Sequence, residues 1–382
     1  MACPTCGSTR TIGSGGGRRK CLSPEHVGTR SYNIDREVSG ELQTEALEAK
    51  QGWAPEFGIT SPLPMGQKLK GTSTLVDKRT GEQVLQWVKT NEDAEAQQAV
   101  LEAAARAMVS DMPRLAPRKA SGTWRQDLLT VYPIGDPHIG MYAWAEETGD
   151  DWDLNIAERV HCGAMAELVQ AAPATEQAIV WNLGDALHYD SMAAVTPRSG
   201  HFLDADGRYA KMVSVAVKII RQCIESALTK HARVHVVNLP GNHDETGALW
   251  LSIALSHIYE NEPRVTVDTN PSVFSYYRWG KVLLGGHHGH ACKPAALAGV
   301  MACDRAKDWG ETSHRHWLIG HIHHESKKEF SGVTVESFNT LAAKDAYATN
   351  GGWRSGRSMQ AIVYHAEHGE VGRSKVCAAM FE

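Results

Sequence analysis

From Gln126 onward, short apolar runs alternate with longer stretches in which apolar residues recur at helical spacing. The runs Leu128 to Ile134, Ala178 to Leu183, Val234 to Leu239, Val282 to Leu284 and Trp317 to Ile319 read as buried strands. Between them the pattern predicts helices over Ile156 to Gln170, Gly207 to Leu228, Gly247 to Tyr259 and Pro294 to Trp309. Val333 to Phe338, Met359 to His365 and Ser374 to Ala379 supply closing strands. So many strands, alternating with helices, predict two facing sheets covered by helices.

Before Gln126 the pattern is weaker. Ser39 to Lys50 predicts a short helix, and Pro55 to Pro64 an extended loop. Gly71 to Asp77 and Gln83 to Lys89 alternate apolar and polar positions around Lys78-Arg-Thr-Gly81, which predicts a hairpin. Thr90-Asn91-Glu92-Asp93 then reads as the cap of a helix running to about Met108, and Pro113, Pro117 and Gly122 as a linker. The expected organisation is a small module over 1–36, an accessory segment over 37–125 and a large domain over 126–382.

Composition adds a few bounds. The 382 residues are 42% hydrophobic and 22% charged, as in an ordinary globular protein. No run approaches a membrane span and no apolar leader opens the chain, so a cytoplasmic location without membrane contact is expected. The net charge of −5 is uneven: residues 1–36 hold six basic and two acidic side chains, a balance of +4. A basic head on an acidic body suits an anionic partner. The head opens with Cys3-Pro-Thr-Cys6, followed by Cys21 and His26 after a glycine-rich stretch. That spacing suits one tetrahedral zinc, whose binding energy would fold a segment too short for a core. The segment resembles zinc-ribbon modules.

The chemistry lies where the strands end. Asp136-Pro-His138, Gly184-Asp185-Ala-Leu-His188, Gly241-Asn242-His243-Asp244, Gly285-Gly-His287-His288-Gly-His290 and Gly320-His321-Ile-His323 each follow one of the five apolar runs. Strands of a layered sheet feed a common edge, so these loops can converge. Carboxylates, an amide and several imidazoles at one point form a ligand set for a pair of divalent ions, and argue for phosphate-ester hydrolysis.

These blocks, in this order over about 127–365, resemble the calcineurin-like metallophosphoesterases. The resemblance implies an α/β fold, a four-layer α/β/β/α sandwich with a dinuclear centre. It implies that Asp136, His138 and His323 hold one ion, that Asn242, His288 and His321 hold the other, and that Asp185 bridges them. Imidazole ligands suit manganese first, with iron, zinc, nickel or magnesium as alternatives. A hydroxide shared by the ions would attack phosphorus in line, with His243 protonating the leaving oxygen. Asp244 would orient His243 or cap the following helix. His287 and His288 point to opposite faces of a strand, and the family pattern favours His288 as ligand, leaving His287 packed or hydrogen-bonded. His290 is a candidate phosphate contact.

His188, three residues after Asp185, is similar to a position in the SbcD-type DNA-repair nucleases, where such a histidine steadies the phosphate. The first expectation is therefore a nuclease acting on DNA or RNA. A zinc module joined to such a core also resembles phage-encoded phosphoesterases, which would place it in a host cytoplasm. A small-molecule phosphatase or cyclic-nucleotide phosphodiesterase is the alternative, and a non-catalytic binding scaffold a third.

Overall fold

The computed structural model describes residues 11–13, 18–21, 31–33, 67–76, 83–92 and 122–382. The chain divides into two compact units, Met1–Leu101 and Glu102–Glu382. In the first unit, β1 (Thr11–Gly13), β2 (Arg18–Cys21) and β3 (Ser31–Asn33) form an antiparallel sheet. Strands β4 (Gln67–Val76) and β5 (Gln83–Glu92) pair antiparallel. Thr90, Asn91 and Glu92, expected to lead into a helix, instead end β5 opposite Leu69, Lys68 and Gln67. Cross-strand pairing overrides the local cap signal there. Cys21 closes β2. Cys3, Cys6 and His26 lie outside the described residues, as do the expected helix over 39–50, the loop over 55–64, the helix beyond Glu92, Pro113 and Pro117.

The second unit is built on two sheets. The first contains β6 (Arg125–Ile134), β7 (Thr175–Asn182), β8 (Arg233–Asn238) and β9 (Val265–Val267), all parallel. The second contains β10 (Ser275–Trp279), β11 (Val282–His287), β12 (His314–Ile319), β13 (Ser326–Phe330) and β14 (Val333–Ser337) in the order β10-β11-β12-β14-β13. Its central β11, β12 and β14 are parallel. The chain then returns to the first sheet, where β15 (Ser358–His365) lies antiparallel beside β6 and β16 (Gly369–Cys377) forms the edge.

The sheets face one another across Leu129, Val131, Ile179, Trp181, Val237, Leu284 and Leu318, all buried. Gly286 lies flat on Trp181, where an added Cβ would stand 2.6 Å from the indole, so the backbone itself packs the core. In chain order the helices are α1 (Ala145–Thr148), α2 (Leu154–Ala171), α3 (Tyr209–Leu228), α4 (Glu245–Ile258), α5 (Leu297–Asp304), α6 (Ala306–Glu311) and α7 (Ala346–Asn350). Helices α2, α3 and α4 cover the outer face of the first sheet. Leu297 and Met301 of α5 and Trp309 of α6 pack on Leu283, Trp317, Ile319 and Val335 of the second. The result is a helix–sheet–sheet–helix sandwich.

Two local expectations change. The single helix expected from Pro294 is a 3-10 turn plus two short helices that break at Arg305 (φ −125°, ψ 43°). Strand β13, of sequence Ser-Lys-Lys-Glu-Phe, has no apolar alternation because it is an exposed edge. Among the described residues no helix is long and apolar enough to cross a membrane.

Candidate metal centre

Parallel strands deliver their C-terminal ends to one edge, and the loops there lock together through the backbone. His138 N donates to Asp185 O at 2.9 Å, His188 N to Ile139 O at 3.0 Å and Gly320 N to His288 O at 2.9 Å. Asp136 accepts the His321 amide on both carboxylate oxygens, at 2.9 and 3.0 Å. Thr340 Oγ1 donates to the Asp136 carbonyl at 2.7 Å.

Among the described residues, the non-glycine positions with positive φ are Asp136 (43°), His138 (42°), Asp185 (52°), His321 (71°) and His323 (51°). All five were singled out from the sequence as ligands. Left-handed backbone is uncommon outside glycine, although Asp and His tolerate it better than most. Neighbouring glycines make room: a Cβ on Gly241 would stand 1.9 Å from Asp185 Oδ1, and one on Gly320 2.6 Å from Asp136 Oδ2.

Two groups of side chains follow. Asp136, His138 and His323 hold their ligand atoms within 4.8 Å of one another, and so do Asp185, His288 and His321. Asp185 Oδ2 is 3.1 Å from His288 Nε2 and 3.9 Å from His138 Nε2, so this carboxylate faces both groups. Asn242 Oδ1 joins the second, 3.1 Å from His288 Nε2. The carboxylates and His138 are buried, whereas His321 is exposed and Asn242, His243 and His323 are half-buried. The cluster is closed behind and open in front.

Protonation follows from the partners. Burial opposes charge on His288, but Asp185 and Asp136 hold its pKa up, at about 10. Its Nδ1 donates to Leu183 O at 2.9 Å while Nε2 faces Asp185 and Asn242, so both nitrogens act as donors. Burial likewise opposes charge on His323, which Asp136 at 3.3 Å raises. His138 goes the other way: burial and the imidazoles of His243 and His323 keep it neutral. Its Nε2 lies 3.1 Å from His323 Nε2 and its Nδ1 3.3 Å from His188 Nδ1. Among the described residues, the ionic partners of Asp136 and Asp185 are all imidazoles. The proton on His288 Nε2 therefore stands where a cation would, between the Asp185 carboxylate and the Asn242 amide oxygen. The donor set fits divalent metal.

Three expected roles shift. His188, expected at the phosphate, is 1% exposed; it meets the back of His138 and stacks on His243 at 5.5 Å. It can orient those rings, as partners of metal-binding histidines do. Asp244 neither orients the His243 ring nor caps α4 through its side chain. Its buried carboxylate accepts the amides of Gly241 at 2.9 Å and of Asp185 and Leu187 at 3.1 Å each, tying two loops together. The His243 ring is held instead through Nδ1, 2.7 Å from the His188 carbonyl, while its amide donates to Asp185 Oδ1 at 2.8 Å.

His287 stacks on Phe274 at 4.7 Å and accepts the Gly289 amide, on the opposite face from His288. The His290 ring lies 5.3 Å from that of His288 and 6.1 Å from that of His321, at the open side. Sequence reasoning missed Thr340, although it too follows a strand and sits beside Asp136.

No family model matches the chain, and no curated protein matches it. Solved structures do. Zinc-complexed Vps29 from Entamoeba histolytica is 15% identical, with 65% of this chain and 99% of that one covered at a TM-score of 0.29. A dimetal phosphatase from Danio rerio is 8% identical over 65% and 99%, with a TM-score of 0.36. A novel archaeal phosphodiesterase is 12% identical over 65% and 99%, with a TM-score of 0.33.

Proposed function

We propose that this chain is a dinuclear-metal-dependent phosphodiesterase whose substrate is nucleic acid. The observation that carries the reading is Asp185, a buried carboxylate facing two groups of imidazole and carboxylate donors at once. Asp136, His138 and His323 would hold one ion, Asn242, His288 and His321 the other, and Asp185 both, with manganese the first choice. When bound, such a pair supplies Lewis-acid activation of water and neutralises phosphoryl charge.

The chain's own residues do the rest. The His188 carbonyl fixes a proton on His243 Nδ1 and leaves Nε2 as the nitrogen that exchanges protons with a leaving oxygen. His188 and Asp244 hold that ring and its loop in place. His290 stands at the open side, where a phosphoryl oxygen would enter. Nucleic acid is favoured by the basic head, whose +4 balance on residues 1–36 suits a polyanion.

For that head, we propose one structural zinc on Cys3, Cys6, Cys21 and His26, with its arginines on substrate phosphates. Deleting residues 1–36 should remove one zinc and weaken binding to long polynucleotides in a salt-dependent way, while hydrolysis of a small diester persists. Equal binding across a salt titration would refute the nucleic-acid role. The main reading is tested by the full chain with manganese, assayed on single- and double-stranded DNA, RNA, cyclic dinucleotides and a chromogenic monoester. Turnover of the monoester alone would favour the phosphatase alternative.

A further inference from the structure

The helical layer covers the outer face of the second sheet only in part. Between the turn at Pro294–Ala296 and the edge strand β13 an open cleft of about 390 Å³ remains, within the size range of small-ligand sites. Its lining includes Ile319, Val335 and Phe330, with Lys293 contributed from the β11 loop and Lys328 from β13.

Ile322 also lines the cleft, and this residue separates His321 from His323. Cleft and metal centre are thus two sides of one turn. Lys293 follows His290 by three positions, so the second wall also starts at the centre. Among the described residues neither Lys293 nor Lys328 has a carboxylate within ion-pair distance, whereas adjacent Lys327 is paired with Glu370 at 2.7 Å. Lys328 Nζ instead lies 5.2 Å over the Phe330 ring.

An apolar, aromatic-containing lining flanked by two unpaired cations calls for an occupant both flat and anionic. A neutral peptide or an acyl chain would leave the lysines without counter-charge, and an acidic peptide or a lipid head group would bring the charge without the flat apolar face. A base within a duplex is stacked on its neighbours, so its face would not be free to enter; an unpaired nucleotide meets both demands. Resting on the phosphodiesterase reading above, we propose that this cleft seats the base next to the scissile phosphodiester of a single-stranded polynucleotide, with the neighbouring phosphate on Lys293 and Lys328.

The test compares the full chain with the Lys293→Glu/Lys328→Glu and Lys293→Arg/Lys328→Arg pairs, on a single-stranded oligonucleotide and on a small chromogenic diester. The glutamate pair should lower the ratio of the two kcat/KM values at least about tenfold, and the arginine pair should restore it. In a salt titration of oligonucleotide binding, the glutamate pair should also reduce the log–log slope by about 0.7, the value for one neutralised phosphate of a single strand. An unchanged ratio, an equal loss on both substrates or an unchanged slope would each overturn the proposal. Were the wild-type chain inert on both substrates, the phosphodiesterase reading would fall, and the salt titration would still decide the cleft.

Discussion

Strand β12 connects two clusters of similar composition and opposite character. Beyond its C-terminal end stand His321 and His323 with Asp136 and Asp185. Nearer its start His316 meets Glu336 at 2.9 Å and the Tyr364 hydroxyl at 2.6 Å, with Glu370 close by. Each cluster brings imidazole and carboxylate atoms within metal-binding reach of one another. In the second, however, Arg373 grips both oxygens of Glu336 and also bonds Glu370, while Lys327 pairs with Glu370. Burial would raise the Glu336 carboxyl, yet His316 and Arg373 hold it down at about 2. A cluster that carries its own arginine and lysine is a strut between sheets. A cluster whose carboxylates have no arginine or lysine partner among the described residues must take its positive charge from protons or from metal.

The most severe way to break that contrast is Asp185→Asn. Activity and metal content should vanish together, as measured by turnover and elemental analysis; an active mutant with two bound metals would remove Asp185 from the centre. His243→Ala should cut turnover by about 10²–10⁴-fold with metal retained, the range for a lost general acid. The deficit should shrink on esters with good leaving groups, and a uniform loss would argue against proton donation.

At the other cluster Arg373→Met should cost about 1–3 kcal/mol, because buried Glu336 loses its two-pronged partner and keeps only His316 and Lys327. Thermal unfolding would show it as a Tm several degrees lower, with metal stoichiometry unchanged. A smaller effect concerns protons. His288 is raised in the folded chain, so in the metal-free protein it stabilises fully below about pH 6.5, and that contribution is lost as pH rises through about 10. Metal must displace this proton, so binding at neutral pH should release protons and tighten as pH rises. Calorimetry in buffers of different ionisation enthalpy measures the release, and pH-independent affinity would contradict the exchange.

The strand ends were legible in the sequence because a buried parallel strand is a nearly continuous apolar run, and the first polar residue after it is conspicuous. Period-two alternation likewise separated His287 from His288. What stayed illegible depends on partners far along the chain. Asp244 has the sequence context of a helix cap, yet it serves amides of a loop near residue 185, which no local pattern announces. His188 looked like a substrate contact because motif spacing does not specify depth. β13 was invisible because an edge strand is under pressure to be charged, and so loses the alternation that marks other strands.

Strand order has a consequence for how the chain is made. β6, which carries Asp136 and His138 at its end, lies between β7 and β15, and β15 is more than 220 residues downstream. During vectorial synthesis β6 can pair with β7 early, but its other edge stays open until Ser358–His365 has left the ribosome. For that interval a nascent chain presents an apolar strand with unsatisfied amides and carbonyls, a template for joining other chains. Chains stalled or truncated before β15 should therefore be lost to aggregation rather than accumulate as a partly folded domain. Late closure makes the C-terminal hairpin of β15 and β16 the step that commits the whole domain.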